Sequence, residues 1–465
     1  MPNTFAFIML VVWPIVVIVL FSTRQPGSAT LLTFLGAQLL LPVGAVIKFE
    51  MIPPFDKNSI ASISALVGCL ISVRRPKSKR RKFWLTDLLI FLFVLCPFIS
   101  GVLNDDPIVV GGTVVPAVGL YDALSSAENA MIFLIPFFIG RSLFREAADI
   151  ETIMRILVVG WLFYSVLILF EIRMGPQLHE WLYGYSEGLA IEVREGAMRP
   201  RVFTGNGLLL TFFEMTAAVA STALWRIGVR VLNLNGGFVT AYLSVVLVWC
   251  RSLGAILYGI TLVPLVRFAS PQMQARIASG LVLVSLLYPM LRLADLFPTQ
   301  FLVEMANNVS TDRSNSLEYR FMQEDLLLKH EIDRFAFGWG RFGRNRVYSE
   351  DGQDHSVTDG RWIITMGQFG FVGFLAEFGL IAVGVFYAGS IFNRISSERE
   401  RVLLAALSLI VAINLVECLP NAPIIPWTLL LAGGLLGRSE AIGFEGRQRS
   451  SRRSAFGFQK LEGSL

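Results

Sequence analysis

Charged residues are scarce in this sequence: Asp, Glu, Lys and Arg make up 16% of it, whereas 54% is apolar. That balance excludes an ordinary soluble globular protein, in which about a quarter of the residues are charged. Apolar runs of about 18 residues or more recur from end to end, and each can cross a bilayer as a helix. The runs lack the two-residue alternation of a membrane β-barrel. We therefore predict an all-α polytopic membrane protein.

Cysteine and histidine are also few, with four and three residues. Cys69, Cys96, Cys250 and Cys418 lie in or beside apolar runs without metal-binding or redox spacing, which favours small core residues. No spacing of Asp and His indicates a metal site, so we predict neither a metal nor a cofactor. The net charge of +5 comes mostly from short loops, which indicates orientation in a membrane rather than nucleic-acid binding.

The apolar runs predict 12 or 13 transmembrane helices, and the number stays open because several runs are short and one is a candidate re-entrant segment. The candidate spans are residues 5–22, 29–48, 58–73, 83–103, 126–143, 152–171, 206–224, 237–250, 253–268, 277–294, 366–391, 402–419 and 422–437. Seven of the nine residues in RRPKSKRRK (74–82) are basic, so this stretch should stay in the cytoplasm. The other basic loops agree with that orientation, which places residues 296–361 outside.

This topology predicts four parts of the chain. They are a transmembrane bundle (1–294), a large periplasmic loop with an amphipathic helix (295–361), C-terminal transmembrane helices (362–437) and a disordered, basic cytoplasmic tail (438–465).

The large loop is the longest polar interruption of the sequence, and from Pro298 to Arg361 it carries seven arginines but one lysine. Its segment 314–335 predicts an amphipathic helix that lies on the membrane or over a cavity. We predict that Asn315 and Glu318 cap this helix. Arg320 and Glu324 are four residues apart in it and predict an ion pair.

Two further segments place arginines near the outer face. In RPRVFTGNG, Arg199 and Arg201 precede a Gly-Asn turn into a span. They are interpreted either as an anion site or as arginines that snorkel to the interface. Arg251, in CRSLGA, lies where two spans nearly meet, and a charged residue at that depth is a candidate functional residue.

The end of the large loop concentrates the remaining candidates. GWGRFGRNRV clusters Arg341 and Arg344, either as a second anion site or as a solvated loop, and SEDGQDHSVTDGRW brings His355, Asp359 and Arg361 to the next span. Transfer from a lipid diphosphate needs a general base for the attacking hydroxyl and fixed cations for the leaving diphosphate. This segment supplies both, although a transporter of anionic lipids would need similar arginines.

The order of these motifs over about residues 195–385 resembles the O-antigen ligase and polysaccharide polymerase family. The similar features are RPRVFTGNG, CRSLGA, LEYRF with Arg320, the turn Gly338-Trp339-Gly340, and TDGRWIITMGQFGFVG with Gly370 and Gly373. Ligases of that family typically carry His-Asn where this chain has Thr358-Asp359 or Asp359-Gly360, and this departure favours a polymerase.

The resemblance implies a glycosyltransferase of the GT-C type in the bacterial inner membrane, with its site facing the periplasm and with no need for a metal or a nucleotide sugar. It would transfer a growing glycan from undecaprenyl diphosphate to a sugar hydroxyl of another lipid-linked repeat unit. The implied partners are this lipid-linked glycan, membrane lipids, and a flippase and a chain-length regulator of the same pathway.

We predict Asp359 as the base, with His355 as the alternative, and Arg199, Arg201, Arg251 and Arg320 as the diphosphate-binding residues. The secondary residues for phosphate or glycan are Arg341, Arg344, Arg361 and Glu324. Two other functions stay open: a ligase that transfers the glycan to lipid A-core or a protein, and a flippase for lipid-linked oligosaccharides. A flippase should have two similar halves and polar residues along its spans, whereas this chain concentrates polarity in one loop.

Overall fold

The structure is a computed structural model that describes residues 1–49, 52–72, 84–185, 193–194, 197–308, 310–422 and 424–462. The basic stretch 74–82 lies outside these residues. The orientation inferred from that stretch therefore stays a prediction.

Helices make up most of the described residues. They are α1 (Thr4–Thr23), α2 (Pro26–Leu40), α3 (Lys57–Ser72), α4 (Trp84–Val102), α5 (Leu120–Leu143), α6 (Ala147–Met174), α7 (Leu178–Tyr183), α8 (Gly207–Arg226), α9 (Gly236–Trp249), α10 (Leu253–Phe268), α11 (Pro271–Leu293), α12 (Thr299–Asn307), α13 (Thr311–Glu331), α14 (Arg361–Ile391), α15 (Glu398–Glu417) and α16 (Pro426–Glu462). Three antiparallel hairpins join some of them: β1 (Ile47–Phe49) with β2 (Ile52–Phe55), β3 (Ile108–Val110) with β4 (Thr113–Val115), and β5 (Val193–Arg194) with β6 (Ala197–Met198).

Within the described residues, seven helices are long and apolar enough to cross a membrane: α1, α4, α5, α6, α8, α11 and α14. The shorter helices α3, α9 and α10 are apolar as well. The all-α class is thus confirmed, and the apolar helices are consistent with a membrane protein. The larger number of spans and the periplasmic side of the loop stay predictions.

Two predicted segments end differently in the structure. α2 ends at Leu40 rather than near residue 48, because Pro42 follows and disfavours helix at the residue before it. The tail was predicted to be disordered from residue 438, but α16 continues to Glu462. At the first residue of this predicted tail, Arg438 pairs with Glu400 of α15 at 2.5 Å and therefore ties α16 to its neighbour.

α8 is the central helix of the bundle, and 94% of its most apolar stretch of 18 residues is buried. It packs against α6, α9, α10 and α15. Small buried residues such as Ala217, Ala220 and Ala223 line it, and small side chains let helix backbones approach closely within a membrane. This packing holds the first turn of α8 in a defined position beside the end of α15.

α14 bends back on itself after its first nine residues. At Gly370, φ is 69° and ψ is −174°, a combination that is essentially restricted to glycine. Arg361 and Glu377 would be about 24 Å apart along a straight helix, yet Arg361 Nη2 lies 2.6 Å from Glu377 Oε1. The arms 361–369 and 371–391 therefore fold towards each other at Gly370.

The large loop holds this reversal by backbone hydrogen bonds. The N–H of Trp339 donates to the carbonyl of Gly367 at 2.8 Å, and the N–H of Phe371 donates to the carbonyl of Phe335 at 2.8 Å. These bonds lie on either side of Gly370. The predicted pattern of a G-x-G turn followed by a glycine-rich helix therefore corresponds to a direct contact between the two motifs.

The predicted amphipathic helix is α13, but its start was wrong. It begins at Thr311 after Ser310, so Asn315 and Glu318 lie inside the helix rather than at its cap. Ser310 has the extended backbone of an N-cap residue. The earlier start adds one turn, which packs on α12 through a hydrogen bond from Ser314 Oγ to the Val303 carbonyl at 3.2 Å.

Candidate active site

A cavity of about 220 Å³, the Asp359 cavity, lies between the start of α8, the end of α15 and the segment before α14. Its polar lining residues are Asn206, Thr358, Asp359, Asn414, Glu417, Asn421 and Thr428, and its apolar walls include Leu208, Leu209, Phe212 and Ile425. Carboxyl, amide and hydroxyl groups from distant parts of the chain therefore meet at one site. Two of the predicted motifs, the Gly-Asn turn and the segment before α14, contribute to it.

Arg320 lies directly beside Asp359. Its Nε is 3.4 Å from Asp359 Oδ2, and its Nη1 donates to the Pro420 carbonyl at 3.2 Å. The Arg320 side chain is 30% exposed and the Asp359 side chain 44%, so solvent and ligands can reach both groups. The structure thus brings together the predicted base and one predicted diphosphate-binding arginine.

The predicted ion pair between Arg320 and Glu324 is wrong. Glu324 is buried and instead accepts hydrogen bonds from Tyr288 Oη at 2.8 Å and Arg292 Nε at 3.1 Å. Burial raises the pKa of Glu324, and the hydrogen bonds and Arg292 oppose that effect. These contacts attach α13 to α11, so Glu324 holds the helix that carries Arg320 and does not face the Asp359 cavity.

Glu417, which the sequence analysis did not select, is the second carboxyl group of the cavity. It accepts a hydrogen bond from Asn421 Nδ2 at 2.7 Å and another from the hydroxyl of Tyr258. Glu417 also interacts electrostatically with the Arg320 guanidinium. An acidic residue near the end of the predicted span 402–419 was the available signal, because ionisable residues within such segments are functional candidates.

Some residues of the segment that precedes α8 line the cavity, whereas others are buried in the core. Asn206 lines the Asp359 cavity and caps α8 by accepting the N–H of Leu209 at 2.8 Å. Arg199 and Arg201 are 3% and 4% exposed, which excludes the interpretation that they snorkel to the interface. Neither of them lines the Asp359 cavity, so their predicted role in diphosphate binding stays a prediction.

His355 and Arg251 are not among the residues that line the Asp359 cavity. His355 is exposed and is not part of the cavity wall, and the charged group it influences is Asp351. Arg251 is exposed in the turn between α9 and α10, with a positive φ of 56°. That turn is followed by Tyr258, which contacts Glu417, so Arg251 is at the same end of α10 as the cavity.

A second cavity of about 370 Å³, the Arg341 cavity, is lined in part by the first residues of α14. Arg341, Arg361, Thr365 and Glu377 are among its lining residues. Arg361 donates to both oxygens of Glu377, at 2.6 and 3.2 Å, and Thr365 Oγ1 also bonds to this carboxylate. Two of the predicted secondary residues, Arg341 and Arg361, are therefore brought together at this cavity.

Arg344 is fully buried and its contacts do not favour the predicted role in ligand binding. Nε donates to the Trp339 carbonyl, Nη1 to the carbonyls of Asp106 and Pro116, and Nη2 to side-chain oxygens of Asn104 and Asp106. Arginine has five N–H donors, so these five bonds match all of them. Arg344 thus fastens the large loop to residues 104–116.

Comparison of the sequence with models of known protein families found no match. Comparison with curated proteins found no match either.

Proposed function

We propose that this protein is a membrane glycosyltransferase of the polysaccharide polymerase type. It transfers a growing glycan from undecaprenyl diphosphate to a sugar hydroxyl of another lipid-linked repeat unit. The observation that carries this proposal is the pair of Asp359 and Arg320, 3.4 Å apart beside a cavity with carboxyl and amide walls. The inner membrane of a bacterium and its periplasmic face are part of the same proposal.

Asp359 acts as the general base in this proposal. A sugar hydroxyl is a poor nucleophile, and a carboxylate within hydrogen-bond reach can take its proton as the new bond forms. The hydroxyl oxygen bonds to the anomeric carbon of the donor, while the bond from that carbon to the diphosphate oxygen breaks. The proton passes to Asp359, and the electron pair leaves with the diphosphate.

Arg320 has two tasks in this proposal: it orients the Asp359 carboxylate and stabilises the leaving diphosphate. Nε faces Asp359 and Nη1 is bound to the Pro420 carbonyl. Nη2 has no acceptor among the described residues and so can donate to a phosphate oxygen. Charge-assisted bonds of this kind are strongest where negative charge develops.

The amide and carboxyl groups of the cavity suit the acceptor sugar. Asn206, Asn421 and Glu417 offer both hydrogen-bond donors and acceptors, which match the hydroxyls of a glycan. Glu417 is held by Asn421 and Tyr258, so it orients the acceptor while Asp359 takes the proton.

The test uses a strain that lacks this chain and is complemented with Asp359→Asn. We expect a loss of long-chain glycan of about 10²–10⁴-fold in rate, because a general base contributes that much. Single repeat units should accumulate on undecaprenyl diphosphate, measured by gel analysis of the extracted lipid-linked intermediates. Asp354→Asn is the matched control, because Asp354 pairs with Arg346 in the same loop and lines neither cavity.

Three outcomes would contradict the proposal. Near-normal chains with a correctly inserted Asp359→Asn protein would exclude Asp359 as the base. Long chains left on undecaprenyl diphosphate in the strain that lacks the protein would indicate a ligase. Single units that an externally added glycosidase cannot reach in spheroplasts would indicate a flippase.

A further inference from the structure

The Arg341 cavity is larger than the Asp359 cavity, and the transfer chemistry proposed above does not use it. It extends from Pro54 and Asn58 near the start of α3 to Phe93 and Pro97 of α4 and Phe133 of α5. Polar groups and aromatic rings therefore line different parts of one space. A cavity of this kind fits a molecule that has a polar head and an apolar body.

In the part of the chain that the structure describes, one cation at this cavity has no ion-pair partner. Glu377 neutralises Arg361, and the Asp56 carboxylate accepts the N–H groups of Asn58 and Ser59 at the start of α3. Among the described residues no carboxylate lies within ion-pair distance of Arg341, and the like charge of Arg361 acts on it. An anion between the two guanidinium groups would relieve this repulsion.

The neutral polar groups beside the arginines add donors for such an anion. Ser126 and Asn129 of α5 and Gln368 of α14 line the same cavity. Arginine binds phosphate oxygens through two N–H groups at once, and hydroxyl and amide donors complete the coordination. Phe93 and Phe133, whose stacked rings have centroids 6.0 Å apart, provide an apolar wall next to this polar end.

We propose that the Arg341 cavity is a binding site for a lipid phosphate, with the phosphate between Arg341 and Arg361 and the chain along α4 and α5. The inference does not depend on the transfer reaction at Asp359. The phosphate could belong to a polyprenyl lipid or to a bulk phospholipid, and these share the chemistry that the cavity recognises.

The test measures binding of undecaprenyl phosphate to the full chain in phosphatidylcholine nanodiscs by native mass spectrometry. The Arg320→Gln background is used throughout, so that binding near Asp359 does not obscure the result. We expect Arg341→Gln to weaken binding about tenfold or more, which corresponds to about 1.4 kcal/mol. Arg346→Gln, the same change five residues further along an exposed part of the loop, should bind like the background protein.

A second variant separates loss of binding from misfolding. Ser126→Phe places a ring in the cavity from α5 without changing any charge, and we expect it to abolish binding while the thermal unfolding temperature stays near that of the background. Binding by Arg341→Gln and Ser126→Phe that equals the background would overturn the proposal. Equal binding of undecaprenol, which has no phosphate, would overturn it as well.

A competition arm identifies the source of the phosphate. If phosphatidylglycerol displaces undecaprenyl phosphate at equal concentration and is itself lost in Arg341→Gln, the site binds bulk phospholipid. If only the polyprenyl lipid binds, the site is selective for it. Either result supports a lipid-phosphate site, and saturable binding of neither lipid would contradict it.

Discussion

The two cavities next to the start of α14 differ in charge and in their walls. The Asp359 cavity combines two carboxyl groups with amides and has Arg320 beside it. The Arg341 cavity combines two arginines and the Asp56 and Glu377 carboxylates with the aromatic rings of α4 and α5. Asp359 and Arg361 are only two residues apart, yet they face different cavities because the helix begins between them. Adjacent residues can therefore serve different ligands when a helix start separates them.

The largest expected effect comes from a change that disturbs both cavities. Gly370→Ala adds a Cβ that would lie 2.2 Å from the carbonyl oxygen of Ala336, at a φ that alanine avoids. Because backbone atoms cannot yield as a side chain can, we expect little folded protein and no activity. Gly112→Ala is the matched control, since its added Cβ meets nothing within 4 Å. Equal yields of the two variants, measured by size-exclusion chromatography in detergent, would contradict the reversal at Gly370.

A smaller effect should follow from breaking the pair that forms the wall of the Arg341 cavity. Arg361→Gln leaves Glu377, which is 1% exposed, with a buried charge that has lost its partner. Removing one partner of a buried pair costs about 3–5 kcal/mol. Glu377→Gln should cost less, because the Arg361 side chain is 28% exposed and water can solvate it. Chemical unfolding in detergent measures both, and the reverse order would show that the pair is not arranged as described.

Arg341 and Arg344 provide the next comparison, because they are three residues apart and have different surroundings. Arg344→Gln removes a buried group with five protein acceptors, and we expect a loss on the order of 3 kcal/mol in unfolding free energy. Arg341→Gln should change it by less than about 0.5 kcal/mol, as is usual for exposed positions. Similar losses for the two variants would mean that Arg341 is also a structural residue.

The smallest effect concerns Glu331 of α13, which packs against the first arm of α14, residues 361–369. Glu331 is 2% exposed, and neither of its carboxyl oxygens has a hydrogen-bond partner among the described residues. Burial raises the pKa of Glu331 well above its ordinary value. Since the folded-state pKa exceeds the unfolded value of about 4.3, stability is highest below that pH and falls as the pH rises towards the folded pKa.

Glu331→Gln should remove this pH dependence, because the amide stays neutral. We expect a higher unfolding temperature than wild type at pH 8 and no difference near pH 4, measured by differential scanning fluorimetry in detergent. Glu318→Gln on the same helix is the control, since Glu318 is exposed. A difference between Glu331→Gln and wild type that does not change with pH would contradict the buried neutral carboxyl.

Hydropathy predicted most helices within a few residues, because an apolar run long enough to cross a bilayer has few alternatives to helix. The predicted spans 253–268 and 5–22 correspond closely to α10 and α1. The prediction was less accurate where a proline or a hairpin interrupts an apolar run, as after Leu40. Apolar composition by itself does not reveal such local breaks.

The candidate site was only partly predictable. Asp359 and Arg320 were selected from separate motifs, and the structure places them 3.4 Å apart. Glu417 was missed because only one of its partners, Asn421, is near it in the chain, whereas Tyr258 comes from α10 and Asp359 shares its cavity only in the folded protein. Arg344 was grouped with Arg341 because a cluster of arginines does not reveal which of them meets buried carbonyl groups.

By itself, the sequence determined the helical class, the apolar segments and the concentration of arginine in one loop, since these follow from composition and local patterns. Only the tertiary structure decided which of those arginines have all their N–H groups hydrogen-bonded within the protein and which of them face a cavity. It also decided that Asp359 and Arg361 line different cavities and that Glu324 holds α13 in place. The physical reason is that hydrogen bonds and ion pairs depend on distances of a few ångströms between residues far apart in the chain, and those distances exist only once the helices have packed.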